Sequence, residues 1–278
     1  MTGRRTRRLP ADCPQPVVGP IESGQPSCAR PWARQLSHDL TEIKPMRIEE
    51  AVWIEGALAR HLPALREREP ARAVLNLGSG PRRAREVNKP HVHARTIRPL
   101  VDAGYRVVHS DLVAADGVDI AGDLFDPALQ ARLRELDAVL VMFCNVLEHL
   151  PARLLPALPA ALDAVVPPGG LLLVAAPNSY PYHPDPIDNL ARPSLEELAA
   201  MFPGWGVVDR ALLEAEGYGP EFRRGSAWKR ARKLLRLLFP FVRPRRWLSH
   251  AHRMLWLGRP YRHALVLLRK PPNDTAGR

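Results

Sequence analysis

Residues 73–80 read Ala73-Val74-Leu75-Asn76-Leu77-Gly78-Ser79-Gly80. A short apolar run that ends in turn residues is a buried strand. Glycines directly after such a strand let backbone N–H groups approach a ligand closely. A dinucleotide fingerprint fits poorly here. The third glycine position of G-x-G-x-x-G is Arg83, and the acidic residue ending the next strand, Asp111, comes 31 residues after Gly80, against roughly 20 in that fingerprint.

Working outward from this stretch, strands and helices alternate. Residues 106–110 read as a second strand, 118–121 as a short third and 137–143 as a fourth. The turn Pro167-Pro168-Gly169-Gly170 leads into a fifth at 171–175. The last two strands are expected at 205–213 and 262–268. Helices fit 93–103 and 151–165, and Ser194-Leu195-Glu196-Glu197 is a capping box that opens another. Upstream, Ala51, Ile54, Leu58, Leu62 and Leu65 recur at steps of three and four. That spacing predicts a lead-in helix with one apolar face, which Pro63 can end. The pattern predicts an α/β fold: a mostly parallel sheet with helices on both faces.

The chain has 278 residues, 46% of them hydrophobic, enough to bury a sizeable core. Its apolar runs, such as 138–144, fall short of the roughly 18–20 residues of a membrane span. Cys13, Cys28 and Cys144 form no regular framework, which argues against a disulfide scaffold or a cysteine zinc module. The basic N-terminus leads into Pro-rich sequence, not an apolar signal core. A reducing, cytoplasmic setting is expected.

The net charge of +11 divides unevenly. Residues 1–45 carry seven basic and four acidic side chains, 46–221 carry 17 and 24, and 222–270 carry 15 and none. A mildly acidic body is therefore joined to a strongly basic segment, unlike a uniformly basic nucleic-acid binder. The expected divisions are a disordered basic, Pro-rich tail at 1–45 (or a start codon assigned too far upstream), a core at 46–214, a basic amphipathic insertion at 215–261, a final core strand at 262–270 and a tail at 271–278. On a helix over 226–238, Trp228, Ala231, Leu235 and Leu238 share one side, and Lys229, Lys233 and Arg236 lie on another. Such a helix suits an anionic membrane surface at the inner face of the membrane. The alternatives are helices that cover the sheet edge with solvated Arg head groups, and a nucleic-acid grip.

The order of VLNLGSG (74–80), SDL (110–112), GDLFD (122–126), DAVLVMFCNVLEHL (137–150) and PPGGLLLVAAPN (167–178) resembles class I S-adenosylmethionine-dependent methyltransferases. The resemblance implies a Rossmann-like seven-stranded, mostly parallel sheet with an antiparallel final strand, and S-adenosyl-L-methionine as cofactor. It implies that Gly78 and Gly80 sit under the methionine part, Asp111 holds the ribose, Asp123 and Leu124 meet the adenine, and Cys144 and Asn145 lie near the sulfonium. Two positions depart from the pattern. Asn76 stands where an acidic residue is usual, and Arg82 where a third glycine is common.

Methyl transfer from a sulfonium needs positioning and, for an oxygen or nitrogen acceptor, a base. His149, beside Glu148, is one candidate, with helix capping as the alternative role. The stretch also resembles the metal-binding Glu-x-x-Glu-His run of some ubiquinone-pathway O-methyltransferases. Asn145 replaces the first carboxylate, so a metal is disfavoured. The Pro-rich stretch 177–189 follows the fifth strand, where open α/β sheets bind ligands. His183 and Asp185 are candidates for acceptor chemistry there, with Tyr180, Tyr182 and Asp188 nearby, suited to a hydroxylated small-molecule or glycan-like acceptor. The alternative is a rigid connector. His91 and His93 read as a solvated basic loop that could cover the cofactor. Two other functions stay open: an inactive binding protein of the same fold, which Asn76 keeps alive, and a nucleic-acid methyltransferase. Against the latter, no Asn/Asp-Pro-Pro-Tyr/Phe run follows the fourth strand.

Overall fold

The computed structural model describes residues 46–62, 73–183, 187–242 and 244–273. The tail at 1–45, residue 185 and the last five residues lie outside the described residues. Helix α1 (Ile48–His61) precedes β1 (Ala73–Leu77). A helical run from Ala84 to Asp102 leads into β2 (Arg106–Asp111) and the short β3 (Ile120–Ala121). Then come α2 (Pro127–Arg134), β4 (Leu140–Cys144), a turn of 3-10 helix at Leu147–His149, α3 (Leu158–Val165) and β5 (Leu171–Ser179). Helix α4 (Leu195–Ala200) and β6 (Gly206–Ala215) follow. The basic insertion forms α5 (Tyr218–Arg224), α6 (Ala227–Arg236) and α7 (Pro244–Met254) before β7 (Tyr261–Arg269) closes the sheet.

The seven strands lie in the order β3-β2-β1-β4-β5-β7-β6. Strands β1 to β5 pair parallel, while β7 runs antiparallel to both β5 and β6. This is the Rossmann-like seven-stranded, mostly parallel sheet with an antiparallel final strand that the motif resemblance implied. The two sheet faces bury separate cores because strand side chains alternate. Ala73, Leu75 and Leu77 of β1 join Leu133, Leu162 and Leu198 on one face. Val74 joins Ala51, Ile54 and Leu58 of α1 on the other. Helix α4 opens on the expected capping box: Ser194 Oγ accepts from Glu197 N at 3.1 Å, and Ser194 N donates to Glu197 Oε2 at 2.7 Å.

Several boundaries differ from expectation. The third strand is two residues long, since Val118 N already closes a turn onto Ala115 O at 3.0 Å. The fifth continues to Ser179 because β7 pairs along it to Arg262. Residues 151–165 are broken by Pro156 into a 3-10 stretch at Ala152–Ala157 and the α3 helix. His91 and His93 are not in a loop. They belong to the helical run, and His91 Nε2 lies 3.0 Å from Met46 O.

Candidate active site

A cleft and a chamber meet at the carboxyl ends of β1, β2, β4 and β5, where α/β sheets place their ligands. The cleft is lined by Asn76, Gly78, Gly80, Asp111, Asp123, Leu124, Cys144, Asn145 and His149. All eight residues expected to hold a cofactor thus line one cavity. Gly78 and Gly80 take φ +66° and +62°. A Cβ on Gly78 would stand 2.3 Å from Val146 Cγ2, so this position has no room for a side chain. Gly80 N donates to Asp111 Oδ2 at 2.7 Å. Burial raises the Asp111 pKa, an effect opposed by hydrogen bonds from Gly80, Val113 and Leu112 and by the charge of Arg85.

Arg85 holds the outer side of this loop. It is buried, and its guanidinium donates to Gly80 O at 2.5 Å and to Gly117 O at 2.9 Å. Asn76 Nδ2 lies 3.2 Å from His109 Nδ1. Burial, with Arg85 nearby, pushes His109 down to about 4. Asn76 thus pairs with a neutral ring while lining the cleft. Asp123 Oδ1 caps its own turn, accepting from Phe125 N at 3.0 Å. Burial pushes the Cys144 thiol up, with the nearby Glu50 and Glu148 adding to the shift. The thiol stays protonated and is a poor nucleophile.

The chamber is lined by Arg47, Glu50, Asn145, Glu148, Tyr180, His183, Glu216 and His263, among others. It shares Met46 and Asn145 with the cleft. Asn145 sits at φ +56°, and its backbone N–H is held by Ala175 O at 2.8 Å. Its amide donates to Glu50 Oε2 at 2.8 Å, while its buried Oδ1 has no partner.

Two His–carboxylate pairs face the chamber. His183 Nδ1 lies 3.1 Å from Asp188 Oδ2, and Arg192 Nη2 donates to the same oxygen at 2.7 Å. Burial alone would raise Asp188, but hydrogen bonds from His183 and Arg192 outweigh it and hold the carboxyl well below the usual range. His263 Nδ1 lies 3.2 Å from Glu50 Oε1, and neither ring nitrogen makes a hydrogen bond. Burial pushes His263 down, partly offset by Glu50. Tyr180 stacks among these groups, 4.9 Å from the His183 ring and 5.5 Å from that of His263.

His149 lines the cleft, with Nδ1 2.7 Å from Ile187 O and its ring 5.4 Å from that of His183. Glu148 is buried with Oε2 unpartnered, and burial raises its pKa. Donor atoms of Glu148, His149 and His183 come within 4.8 Å of one another. The two histidines, 34 positions apart in the sequence, are thus brought together. Asp188 is fully engaged in holding His183. Asp185 lies outside the described residues.

Sequence reasoning missed Glu50, Arg85 and His263. Glu50 carried a signal: it precedes Ile54 by four residues and so falls on the apolar face of α1. His263 shares its strand face with the buried Leu265 and Leu267, where a polar residue is out of place. Nothing in the sequence distinguishes Arg85 from its neighbours.

No family model matches the chain, and no curated protein does. Solved structures of similar fold include a SAM-dependent methyltransferase from Anabaena variabilis, at 11% identity over 91% of this chain and 99% of that one, TM-score 0.48. Others are coclaurine N-methyltransferase bound to N-methylheliamine and SAH, at 15% over 86% and 87%, TM-score 0.42, and a Burkholderia thailandensis 1,6-didemethyltoxoflavin-N1-methyltransferase, at 17% over 92% and 94%, TM-score 0.41.

Proposed function

We propose that the protein transfers a methyl group from S-adenosyl-L-methionine to an oxygen or nitrogen of a polar small-molecule acceptor. The observation that carries this is the junction at Asn145. Asn145, with Met46 beside it, borders both a glycine-floored cleft and a chamber lined with histidine bases. The cleft fits the cofactor on the chain's own terms. It has a floor at Gly78 with no room for a side chain, a carboxylate at Asp111, and a neutral amide at Asn76 in place of the usual charge.

In this reading Gly78 and Gly80 support the methionine part, Asp111 the ribose, and Asp123 and Leu124 the adenine. When bound, the cofactor supplies a methyl on a positive sulfur whose C–S electron pair leaves with the sulfur. The chain's own residues do the rest. Asn145 lines the junction through which an acceptor lone pair would meet the methyl. His263, steadied by Glu50, and His183, steadied by Asp188, stand ready to take the acceptor proton. In-line positioning supplies much of the rate, and the base contributes on the order of 10²–10⁴.

Calorimetry with S-adenosylmethionine and S-adenosylhomocysteine tests the cleft, and transfer of labelled methyl to a panel of hydroxylated and amine acceptors tests the reaction. Cofactor binding with no transfer to any acceptor would favour a binding protein that keeps the fold. Absence of binding would remove the proposal.

A further inference from the structure

The basic insertion is built with its apolar side outward. Among the described residues, nine of the sixteen exposed large hydrophobics fall from Trp228 to Leu255. No residue of α6 is buried. Trp228, Leu235 and Leu238 lie seven and ten residues apart, on one helical stripe, and are 74%, 57% and 69% exposed. Phe241, in the turn to α7, is 75% exposed. The opposite side of α6 rests on α5. Lys233 Nζ lies 5.0 Å from the Tyr218 ring centroid, and Arg230 Nη1 donates to Arg223 O at 3.3 Å. Trp247 Nε1 donates to Leu237 O at 2.9 Å, and His250 Nε2 lies 2.8 Å from Lys233 O, which pins α7 to α6. The expected alternative, an apolar side covering the sheet edge, does not describe this hairpin.

We infer that the α6–α7 hairpin is an attachment surface for an anionic membrane. A contiguous exposed apolar surface marks an interaction site, and this one has a matching charge pattern. Residues 222–270 hold 15 basic and no acidic side chains. Among the described residues, Lys229, Arg232 and Arg236 make no salt bridge. A bilayer of anionic lipid meets both needs at once, acyl chains for the stripe and headgroups for the cations. Nucleic acid would meet only one. Its base faces stack on aromatic rings, but the aliphatic Leu235, Leu238, Leu248 and Leu255 have no partner there.

The root of the hairpin borders the chamber. Tyr182 N donates to His252 Nδ1 at 2.9 Å, and Glu216, whose carbonyl takes Arg47 Nη1 at 3.1 Å, lines the chamber itself. Resting on the methyl-transfer reading, attachment would bring the chamber to a lipid-linked or membrane-associated acceptor.

Flotation of the full chain with phosphatidylcholine vesicles, with and without phosphatidylglycerol, tests the inference in the absence of cofactor and acceptor. Binding is expected only to the anionic vesicles and is lost at high salt. K229E/R232E is expected to lower partition at least roughly 30-fold, about fivefold for each lost basic residue. W228A/F241A is expected to abolish flotation at low salt. Equal binding to neutral vesicles, no binding, or flotation unchanged in both variants would overturn the inference, as would binding of an oligonucleotide without vesicle binding. Circular dichroism and thermal melting of the same preparations, which do not depend on cofactor binding, confirm folding. A failed methyl-transfer assay alongside positive flotation counts against the activity alone.

Discussion

Asn145 Nδ2 donates to Glu50 Oε2 at 2.8 Å across 95 residues of sequence. This bond ties the end of β4 to the start of α1. It leaves Asn145 Oδ1 buried without a partner, and an unsatisfied buried acceptor costs about 1–3 kcal/mol. A ligand that donates to that oxygen would recover the loss. The amide is thus positioned by the chain at one end and open at the other.

Asp111→Ala is expected to weaken S-adenosylmethionine binding by roughly 10- to 100-fold, the range for one charge-assisted hydrogen bond. It also frees Gly80 N, so part of the loss is loop order. Calorimetry reads the change, and a dissociation constant within twofold of wild type would remove Asp111 from the cofactor site.

Gly78→Ala introduces a contact 2.3 Å from Val146 Cγ2 at a backbone of φ +66°. The two penalties together are expected to cost about 2–4 kcal/mol. Gly78→Ala with Val146→Ala relieves the contact but not the backbone strain. The double variant should therefore recover part of the loss in a denaturant titration, and complete recovery would show that the backbone conformation is unstrained.

If His263 takes the acceptor proton, it must be neutral to act. Burial lowers its pKa, so the neutral form persists below the ordinary histidine value of about 6.5. The acid limb of the kcat profile should therefore lie below that pH. Glu50→Gln removes a charge that raises the His263 pKa and should move the limb further to acid. His263→Ala should lower kcat with cofactor affinity near wild type. An acid limb unmoved by Glu50→Gln would take His263 out of the proton path.

His183→Ala tests the second pair and is expected to lower turnover while leaving cofactor affinity near wild type. Asp188 adds a stability signature. Its folded pKa is depressed, so its contribution is full above the unfolded value of about 3.9 and is lost as pH falls below that value. Urea unfolding should show stability falling as pH drops below about 4. Asp188→Asn should flatten that slope and cost about 3–5 kcal/mol at neutral pH, because Arg192 and His183 lose a buried partner. An unchanged slope would mean that Asp188 does not carry the acid sensitivity.

The cleft was legible in the sequence because it is built by consecutive strand ends. Asp111 ends its strand, Gly78, Asp123 and Asn145 follow theirs by a residue or two, and the sheet order brings those ends together. The chamber was half legible. His183 stood out in its Pro-rich stretch, but its partner is Asp188, which orients the ring, and not a chain neighbour acting beside it. Glu50 and His263 were illegible as a pair because no local pattern links α1 to β7. His91 and His93 were misread as loop because Pro90 opens a helical turn at its first position, where proline is well tolerated. The outward face of α6 was equally out of reach. A helical wheel gives the stripe but not which side the body takes.

The cleft draws on residues 76–150 and Met46, whereas the chamber adds α1, the end of β5, the start of the insertion and β7 to Lys89, His91, Asn145 and Glu148. Much of the chamber therefore answers to parts of the gene that the cleft does not use. Changes to the chamber can accumulate at Glu50, Tyr180, His183, Glu216 or His263 without touching the glycine loop or Asp111. Met46 and Asn145 are the exceptions, since a change at either alters both halves together.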